Sequence, residues 1–362
     1  MAVRDFGSAL MTANRLARLD SIRALGVLLV VAYHTSYRFE PPQLDLIGRV
    51  LRVIGWMGVD LFFALSGFLI GMILAMEKNR RDIALFFRKR FFRIVPIFVV
   101  AVITFGVGDW LLVDGQNLAN IWKPFLFLTG YMTPFQGEAL VPYTITWSLS
   151  VEVSAYILLG LLAWKSWDRF KQVLILVVLL SLPLRIWLSL GLGWEDHMIG
   201  LFPPARFDAI ALGALAALGT FDRLLKIKRA ALIYGAATIA IIILFRFATW
   251  YPPFIGTVGY LIFGLAAALW VGALARVDGP SGWFVAATAS VGLVSYFMYL
   301  FHLFFIQALM IVDAQFALEL GFWSAFLIAS ALTYVAGLIS WHWFEKPLNA
   351  YASKPREPSL VP

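Results

Sequence analysis

The chain has 362 residues, 61% of them hydrophobic and only 14% charged, and its formal net charge at pH 7 is +8. Soluble domains average about half apolar and about a quarter charged residues, so this composition excludes an ordinary soluble protein and indicates a membrane protein. Because the sequence contains no cysteine, disulfide bonds, thiolate metal sites and a cysteine acyl-enzyme are excluded.

Ten apolar segments have lengths near the ~20 residues that a helix needs to cross a bilayer. A spanning segment must satisfy its own backbone hydrogen bonds, so we predict an all-α membrane bundle of about ten transmembrane helices. A shorter apolar stretch, Ile121–Tyr131, is predicted to lie at the interface or to re-enter the membrane. The ten predicted spans are Ile22–Tyr37, Trp56–Met76, Ile94–Val113, Thr146–Trp164, Val173–Leu190, Ala205–Leu218, Ala231–Phe247, Ile255–Leu274, Val291–Val312 and Phe322–Trp343.

Positive charge alternates between the loops that join these segments. One set of loops, with both ends of the chain, carries most of the Lys and Arg, including Arg88, Lys165 and Arg229. The positive-inside rule then predicts cytoplasmic termini, in a multi-pass protein of the cell inner (plasma) membrane. We therefore expect membrane lipids as partners and no nucleic acid. Residues 1–346 are predicted to form one membrane domain, and residues 347–362 a short cytoplasmic tail.

Arg23 and His34 lie in the first predicted span, eleven residues apart. In a helix this separation is about 16 Å, close to the reach of the pantetheine arm of coenzyme A. Histidine is the natural general base near neutral pH, so we expect Arg23 to hold a nucleotide phosphate while His34 meets a thioester. The alternative is a structural histidine bonded to a neighbouring helix.

Arg90 and Arg93 belong to a basic cluster at the start of the third predicted span. Residues three apart share a helix face, and a pair of guanidinium groups suits phosphate recognition. The alternative is that these charges report only topology and attraction to the membrane surface.

Trp147, Ser148 and Glu152 open the fourth predicted span, at a depth similar to that of His34. Ser148 and Glu152 are four apart and therefore stack on one helix face. A buried carboxylate near an imidazole can orient the ring and stabilise its protonated form. The alternative is a helix-packing salt bridge to an arginine of another span. Trp147 and Ser148 themselves are candidates for acceptor binding or for a structural role.

Other polar side chains inside the predicted spans are costly to bury and are therefore functional candidates. They serve either acceptor binding or bundle assembly, where interhelical hydrogen bonds are worth ~0.6 kcal/mol each. Arg206 and Asp208, two apart, face different sides of a helix and are expected to pair with other helices. The sequence has no metal-binding pattern such as H-E-x-x-H, so we expect no metal site. The remaining candidates of this kind are Asp20, Asp60, Ser66, Tyr299 and His302.

Taken in order, seven segments resemble the acyltransferase 3 family of polytopic membrane O-acyltransferases. The Arg-x10-His pattern of that family falls on Arg23 and His34. Its Arg-x-x-Arg pattern falls on Arg90 and Arg93, and its W-S-L-x-x-E pattern ends at Glu152. The seven segments, which extend over nearly the whole chain, are Leu19–His34, Gly58–Gly71, Arg88–Pro96, Thr146–Tyr156, Ala205–Ala217, Val294–His302 and Phe344–Leu348.

The resemblance implies transfer of an acyl group, usually acetyl, from cytoplasmic acyl-CoA to a hydroxyl of a glycan or lipid-linked saccharide. Acyl-CoA, with acetyl-CoA as the expected donor, is then a co-substrate, and no bound cofactor is expected. The implied catalytic residues are His34 and Glu152, and the implied acyl-CoA-binding residues are Arg23, Arg90 and Arg93. The chain resembles the stand-alone form, without the SGNH hydrolase-like domain that is fused to some members.

The chain departs from the family pattern at Val153, where an acidic or polar residue is common, and at Ser21, where glycine is common. Phe301 and Leu303 flank His302, where tryptophan is common. These departures concern the acceptor more than the reaction. Acetyl, succinyl and longer acyl donors remain open at this point, as do direct transfer and an acyl-histidine intermediate. The competing function is a multispan transporter or flippase without acyl-transfer chemistry.

Overall fold

Helices form most of the computed structural model, which describes residues 13–76, 82–112, 115, 117–141, 143–248, 254–280 and 282–353. No strand occurs among these residues, and the predicted all-α class is confirmed. The α-helices are α1 Ala13–Arg38, α2 Leu46–Ile54, α3 Gly58–Ala75, α4 Ile83–Leu112, α5 Trp122–Phe125, α6 Thr129–Gln136, α7 Trp147–Lys165, α8 Trp167–Ile186, α9 Asp196–Leu201, α10 Phe207–Ala217, α11 Asp222–Leu225, α12 Ala230–Ala248, α13 Tyr260–Leu274, α14 Trp283–Leu293, α15 Ser295–Phe316, α16 Phe322–Ser340 and α17 Lys346–Ser353.

Within the described residues, seven helical stretches are long and apolar enough to cross a membrane, as expected of a multi-pass membrane protein. They correspond to seven of the ten predicted spans. The other three predictions fall on α1, α10 and α12, which are not among the seven. A turn at Pro203–Ala205 takes up the start of one of these, and α10 keeps only 11 residues. The seven stretches are Leu46–Ala75, Ile83–Leu111, Thr144–Lys165, Trp167–Gly191, Ile255–Leu274, Ser295–Phe316 and Phe322–Ser353.

The predicted ninth span, Val291–Val312, contains a break at Val294 that separates α14 from α15. α14 packs against α1 at Gly292, where an added Cβ would lie only 1.9 Å from the carbonyl oxygen of Asp20. Only glycine permits so close an approach of two backbones. The apolar sequence continues through the break, so the hydropathy pattern predicted one span where the structure has parts of two helices.

The centre of the bundle is α3, which belongs to the most buried of the seven stretches. Its backbone touches that of α10 at two glycines. An added Cβ would lie 1.9 Å from the Ile210 carbonyl oxygen at Gly67, and 2.0 Å from the Ala64 carbonyl oxygen at Gly213. Small residues commonly let helices in membranes approach this closely. The contact fixes α3 in the interior, and with it the side chain of Ser66.

The stretch predicted to be interfacial or re-entrant, Ile121–Tyr131, contains α5 and the start of α6. Lys123 is buried there, and its ammonium group donates to Gln136 Oε1 at 2.7 Å and to the Leu140 carbonyl oxygen at 2.5 Å. A buried lysine with both acceptors nearby holds this short segment against the helices that follow it.

The last described helix, α17, continues the chain after a π-helical turn at Trp341–Glu345. It packs on α4, where Arg88 Nε donates to the Ala352 carbonyl oxygen at 3.0 Å, and the rings of Phe92 and Tyr351 lie 5.5 Å apart. The first part of the predicted tail is thus a packed helix. Residues 354–362 of that tail lie outside the described residues, as do the loop charges Lys78, Arg80 and Arg81.

Candidate active site

Two adjoining cavities lie beside α1 and α3, the larger one where α1 begins and α3 ends, and the smaller one along α3 from Val59 to Leu69. The larger one, which we call the vestibule, has a volume of about 1860 Å³ and is lined among others by Leu16, Lys89 and Ser353. The smaller one, which we call the chamber, has a volume of about 740 Å³ and is lined among others by Ser66 and Glu152. The residues that line both cavities are Arg23, Leu69, Arg90, Arg93 and Tyr296.

Three arginines therefore stand where the vestibule meets the chamber. Arg23 forms an ion pair with Asp20, one turn before it on α1. The Arg90 guanidinium lies over the Tyr156 ring, 5.2 Å from its centroid. Arg93 is exposed to the cavities and makes no hydrogen bond or ion pair within the described part of the chain. Guanidinium groups that face open space in this way suit a phosphate-bearing ligand.

Glu152 provides the carboxylate of the chamber. Its Oε1 accepts hydrogen bonds from Ser66 Oγ at 2.5 Å and from the Tyr156 hydroxyl. Trp147, at the start of the same helix, packs edge to face on Phe63 with the ring centroids 5.9 Å apart. The chamber thus combines a carboxylate held by two hydroxyl donors with the arginines at its entrance.

His34 contacts a second histidine instead of the carboxylate. His34 Nδ1 lies 3.1 Å from His302 Nε2, and the two ring centroids are 4.8 Å apart. Among the described residues, Glu152 makes no hydrogen bond to His34, and its partners are Ser66 and Tyr156. α15 packs directly on α1, whereas α7 packs on α3 and α4, and the packing therefore gives His34 the partner from α15.

Neither histidine lines the chamber, but Tyr299 connects them to it. Its side chain forms part of the chamber wall, and its ring centroid lies 6.0 Å from that of His302. The Tyr299 hydroxyl donates to the Ile145 carbonyl oxygen at 2.7 Å and lies 2.7 Å from Ser148 Oγ. The imidazole pair is thus placed immediately behind one wall of the chamber.

Three of the remaining candidates form, together with Arg185, a separate, buried ion-pair region between α3, α8, α10 and α13. Arg206 pairs with Asp60, and Arg185 NH1 donates to Asp208 Oδ2 at 2.7 Å. All four side chains are at most 1% exposed. The Arg206 guanidinium also lies over the Tyr260 ring, 3.6 Å from its centroid. Each charge is paired between helices, an arrangement that serves bundle assembly and leaves these groups away from both cavities.

The sequence reasoning missed two residues of the chamber and one contact. Tyr156 follows Glu152 by four residues, so helical spacing already placed it on the same face. Tyr296 stands out as a polar residue of the ninth predicted span, but its role was not assigned, because only the packing of α15 turns it toward both cavities. The contact of His34 with His302 joins residues 268 positions apart. Within the described residues, no group of three His, Cys, Asp or Glu side chains could hold a metal ion.

Comparison with known proteins adds independent findings. A family model described as "Acyltransferase domain" matches residues 16–342. The peptidoglycan O-acetyltransferase OatA of Listeria monocytogenes is 28% identical over 366 residues, which cover 91% of this chain and 55% of that protein. The putative membrane-bound transacylase BcsY of Komagataeibacter xylinus is 28% identical over 165 residues, which cover 41% of this chain and 38% of that protein.

The O-acetyltransferase OatA of Staphylococcus aureus strain NCTC 8325 is 27% identical over 240 residues, which cover 60% of this chain and 37% of that protein. The chain thus spans about half the length, or less, of these curated relatives. No solved structure matches it.

Proposed function

Because this chain belongs to the acyltransferase 3 family, we propose that it is a membrane O-acyltransferase that uses cytoplasmic acyl-CoA. It transfers the acyl group, most simply acetyl, to a hydroxyl of a glycan or lipid-linked saccharide. The observation that carries this proposal is the boundary of arginines between the vestibule and the chamber. Two O-acetyltransferases among the relatives, one of them named for peptidoglycan, support a glycan as the acceptor.

The donor enters through the vestibule in this proposal. Arg23, Arg90 and Arg93 hold the anionic nucleotide end of acyl-CoA, since charge-assisted hydrogen bonds from guanidinium groups match phosphate geometry. The pantetheine arm then extends along α1 toward His34, over the about 16 Å of helix rise that separates Arg23 from His34. The chamber, with its mixed apolar and hydroxyl-bearing wall, receives the thioester.

His34 acts as the general base. It takes the proton of the acceptor hydroxyl, the hydroxyl oxygen bonds to the thioester carbonyl carbon, and the carbon–sulfur bond breaks. The coenzyme A thiolate leaves and recovers the proton from His34. General-base assistance of this kind contributes roughly 10²–10⁴ in rate. Glu152, held by Ser66 and Tyr156, acts from the chamber by orienting the acceptor. The chamber, which receives the thioester, reaches Tyr299 but not the imidazole of His34. The thioester must therefore get past the Tyr299 side chain before it meets His34.

An alternative chemical route passes the acyl group through His34 itself, as an acyl-imidazole. Rapid mixing with labelled acetyl-CoA, without an acceptor, separates the two routes. Label on the protein that is released by neutral hydroxylamine and is also lost in acid supports the acyl-histidine route, and its absence in an active preparation supports direct transfer.

The membrane topology of this proposal has ten crossings and cytoplasmic termini in the cell inner membrane, with residues 1–346 as the membrane domain and 347–362 as the tail. Because the chain has no cysteine, single cysteines can report it directly. Asn349→Cys lies beside the vestibule, and Glu195→Cys lies in the exposed loop after α8. In intact cells an impermeant maleimide should label only the second. The reverse pattern would contradict a cytoplasmic entrance for the donor.

The function is tested with purified protein in bilayers, [¹⁴C]acetyl-CoA and glycan fractions from the host membrane. We expect label to move from coenzyme A to an alkali-labile ester on a saccharide. Mass spectrometry of surface glycans and lipid-linked intermediates, with and without the protein, then identifies the acceptor. Saccharide movement across the bilayer without release of free coenzyme A would instead establish the transporter or flippase function.

A further inference from the structure

The neighbours of His302 determine which of its ring nitrogens carries the proton. His302 Nδ1 lies 2.7 Å from the Tyr299 carbonyl oxygen and 3.2 Å from the Met298 carbonyl oxygen. A carbonyl oxygen only accepts hydrogen bonds, so Nδ1 must be the donor. In the neutral ring, the other nitrogen, Nε2, is then an acceptor.

The same reasoning applies to His34. His34 Nδ1 lies 3.0 Å from the Val30 carbonyl oxygen and 3.1 Å from His302 Nε2. Both of these atoms are acceptors, so Nδ1 of His34 carries the proton. Among the described residues its Nε2 has no hydrogen-bond partner, so this is the atom able to accept a proton from a substrate.

We propose that His302 is a positioning residue that, together with the Val30 carbonyl oxygen, holds His34 in its Nδ1–H tautomer and thereby makes Nε2 the base. This inference rests on the proposed function. In the transfer step the acceptor proton moves to His34 Nε2, while the acceptor oxygen bonds to the thioester carbon and the carbon–sulfur bond breaks. The departing thiolate then takes that proton from Nε2. Throughout, His302 Nε2 accepts from His34 Nδ1 and stabilises the charged ring that forms between the two proton movements.

The surroundings of His302 prevent it from turning. Its side chain is 0% exposed, and both nearby carbonyl oxygens belong to its own helix, three and four residues before it. A ring held this firmly can impose one tautomer on a partially exposed neighbour such as His34.

Two substitutions separate this positioning role from simple packing. His302→Leu replaces the ring by an apolar side chain of similar size and removes the Nε2 acceptor. His302→Gln can place its Oε1 where the Nε2 of His302 accepts the hydrogen bond. We expect His302→Leu to lower kcat by at least about 10-fold, and at most by the about 10⁴-fold that a wrong tautomer costs a serine protease. KM for acetyl-CoA should stay unchanged, and His302→Gln should recover most of kcat.

The matched control is His342→Leu. His342 Nδ1 lies 2.9 Å from the carbonyl oxygen of Leu338, four residues earlier, as His302 Nδ1 lies near that of Met298. The His342 ring, however, is exposed and lines neither the chamber nor the vestibule. The control should keep wild-type kcat. A His302→Leu variant with wild-type kcat would overturn the proposal, and so would a His302→Gln variant that is no better than His302→Leu.

A second measurement on the wild-type protein does not depend on activity. Protonated and bare imidazole nitrogens give separate ¹⁵N resonances, and the chain has only four histidines. Solid-state ¹⁵N spectra of histidine-labelled protein in bilayers should show Nδ1–H and bare Nε2 for His34, assigned by the signal that is lost in His34→Gln. An Nε2–H signal for His34 would overturn the inference. A protein that shows the expected tautomer but transfers no acyl group would instead defeat the proposed function.

Discussion

Arginines are arranged in opposite ways in two regions of this bundle. In the ion-pair region between α3, α8, α10 and α13, each guanidinium faces a carboxylate of another helix, and none of the four charged side chains lines the vestibule or the chamber. At the chamber entrance, Arg93 faces open space without a partner in the described chain. Desolvated charges must be paired to be tolerated, so the paired region serves the fold. The unpaired group is available to the ligand of the proposed function, and the two regions differ in whether their arginines are paired within the described chain.

The largest effect should come from His34, the proposed base beside the chamber. We expect His34→Ala to abolish measurable transfer of [¹⁴C]acetyl, because loss of general-base assistance alone removes roughly 10²–10⁴ in rate. The protein should still insert and elute as a folded species, since His34 lies outside the ion-pair region. His342→Ala is the matched control and should transfer normally. Full activity in His34→Ala would remove this residue from the mechanism.

The next largest effect should be on the stability of the folded protein. Arg206→Met leaves the Asp60 carboxylate buried without its partner, which typically costs about 3–5 kcal/mol of stability. A marked fall in the unfolding temperature in detergent measures this change. Addition of Asp60→Asn should restore part of the lost stability, because the double variant has no uncompensated charge at this position. If Arg206→Met unfolds at the wild-type temperature but loses acetyl-CoA binding, the division between the two regions is wrong.

Arg93→Met should give the converse result. A hydrogen bond to a charged group contributes about 1.5–3 kcal/mol, so we expect the Kd for acetyl-CoA to rise by about 10- to 100-fold. The unfolding temperature should stay unchanged, because Arg93 has no partner among the described residues to lose. Calorimetric titration measures the binding. Lys171→Met removes an exposed charge from α8 and serves as the control, and equal weakening in both variants would point to a general charge effect.

The smallest effect should be found where a charge pair is exposed. Arg52 pairs with Glu40, and their side chains are 33% and 77% exposed. Exposed ion pairs contribute about 0–1 kcal/mol, so Arg52→Ala should change stability by less than 1 kcal/mol and leave acetyl-CoA binding intact. Thermal unfolding in low and high salt measures it. A loss of stability as large as that of Arg206→Met would show that the exposure of an arginine does not determine how much its ion pair contributes to stability.

Much of the helical organisation could be predicted because its cause is local. Seven predicted spans coincide with long apolar helices, since hydrophobic length alone determines them. Arg90 and Arg93 line the same cavities, as expected from their spacing on one helix face. The break at Val294 could not be predicted, because it depends on the backbone contact of Gly292 with α1.

The arrangement of side chains from different helices was harder to predict. The sequence placed a carboxylate and an imidazole at similar depths, but depth does not say which helix lies between them. In the structure Ser66 and Tyr156 hold Glu152, and His302 meets His34. The partners of Asp60 and Asp208 likewise follow from helix packing, for which a single sequence carries little signal.

The glycine contacts between α3 and α10 constrain how this scaffold can be re-engineered. Because Gly67 and Gly213 leave no room for a side chain, α3 cannot be moved or rotated without separating the two backbones. Widening the chamber for bulkier acyl groups should therefore start at Ile94 and Leu149, which reach it from α4 and α7. The side of the chamber formed by α4 and α7 can then be changed to alter the substrate range, while the packing of α3 on α10 stays the same.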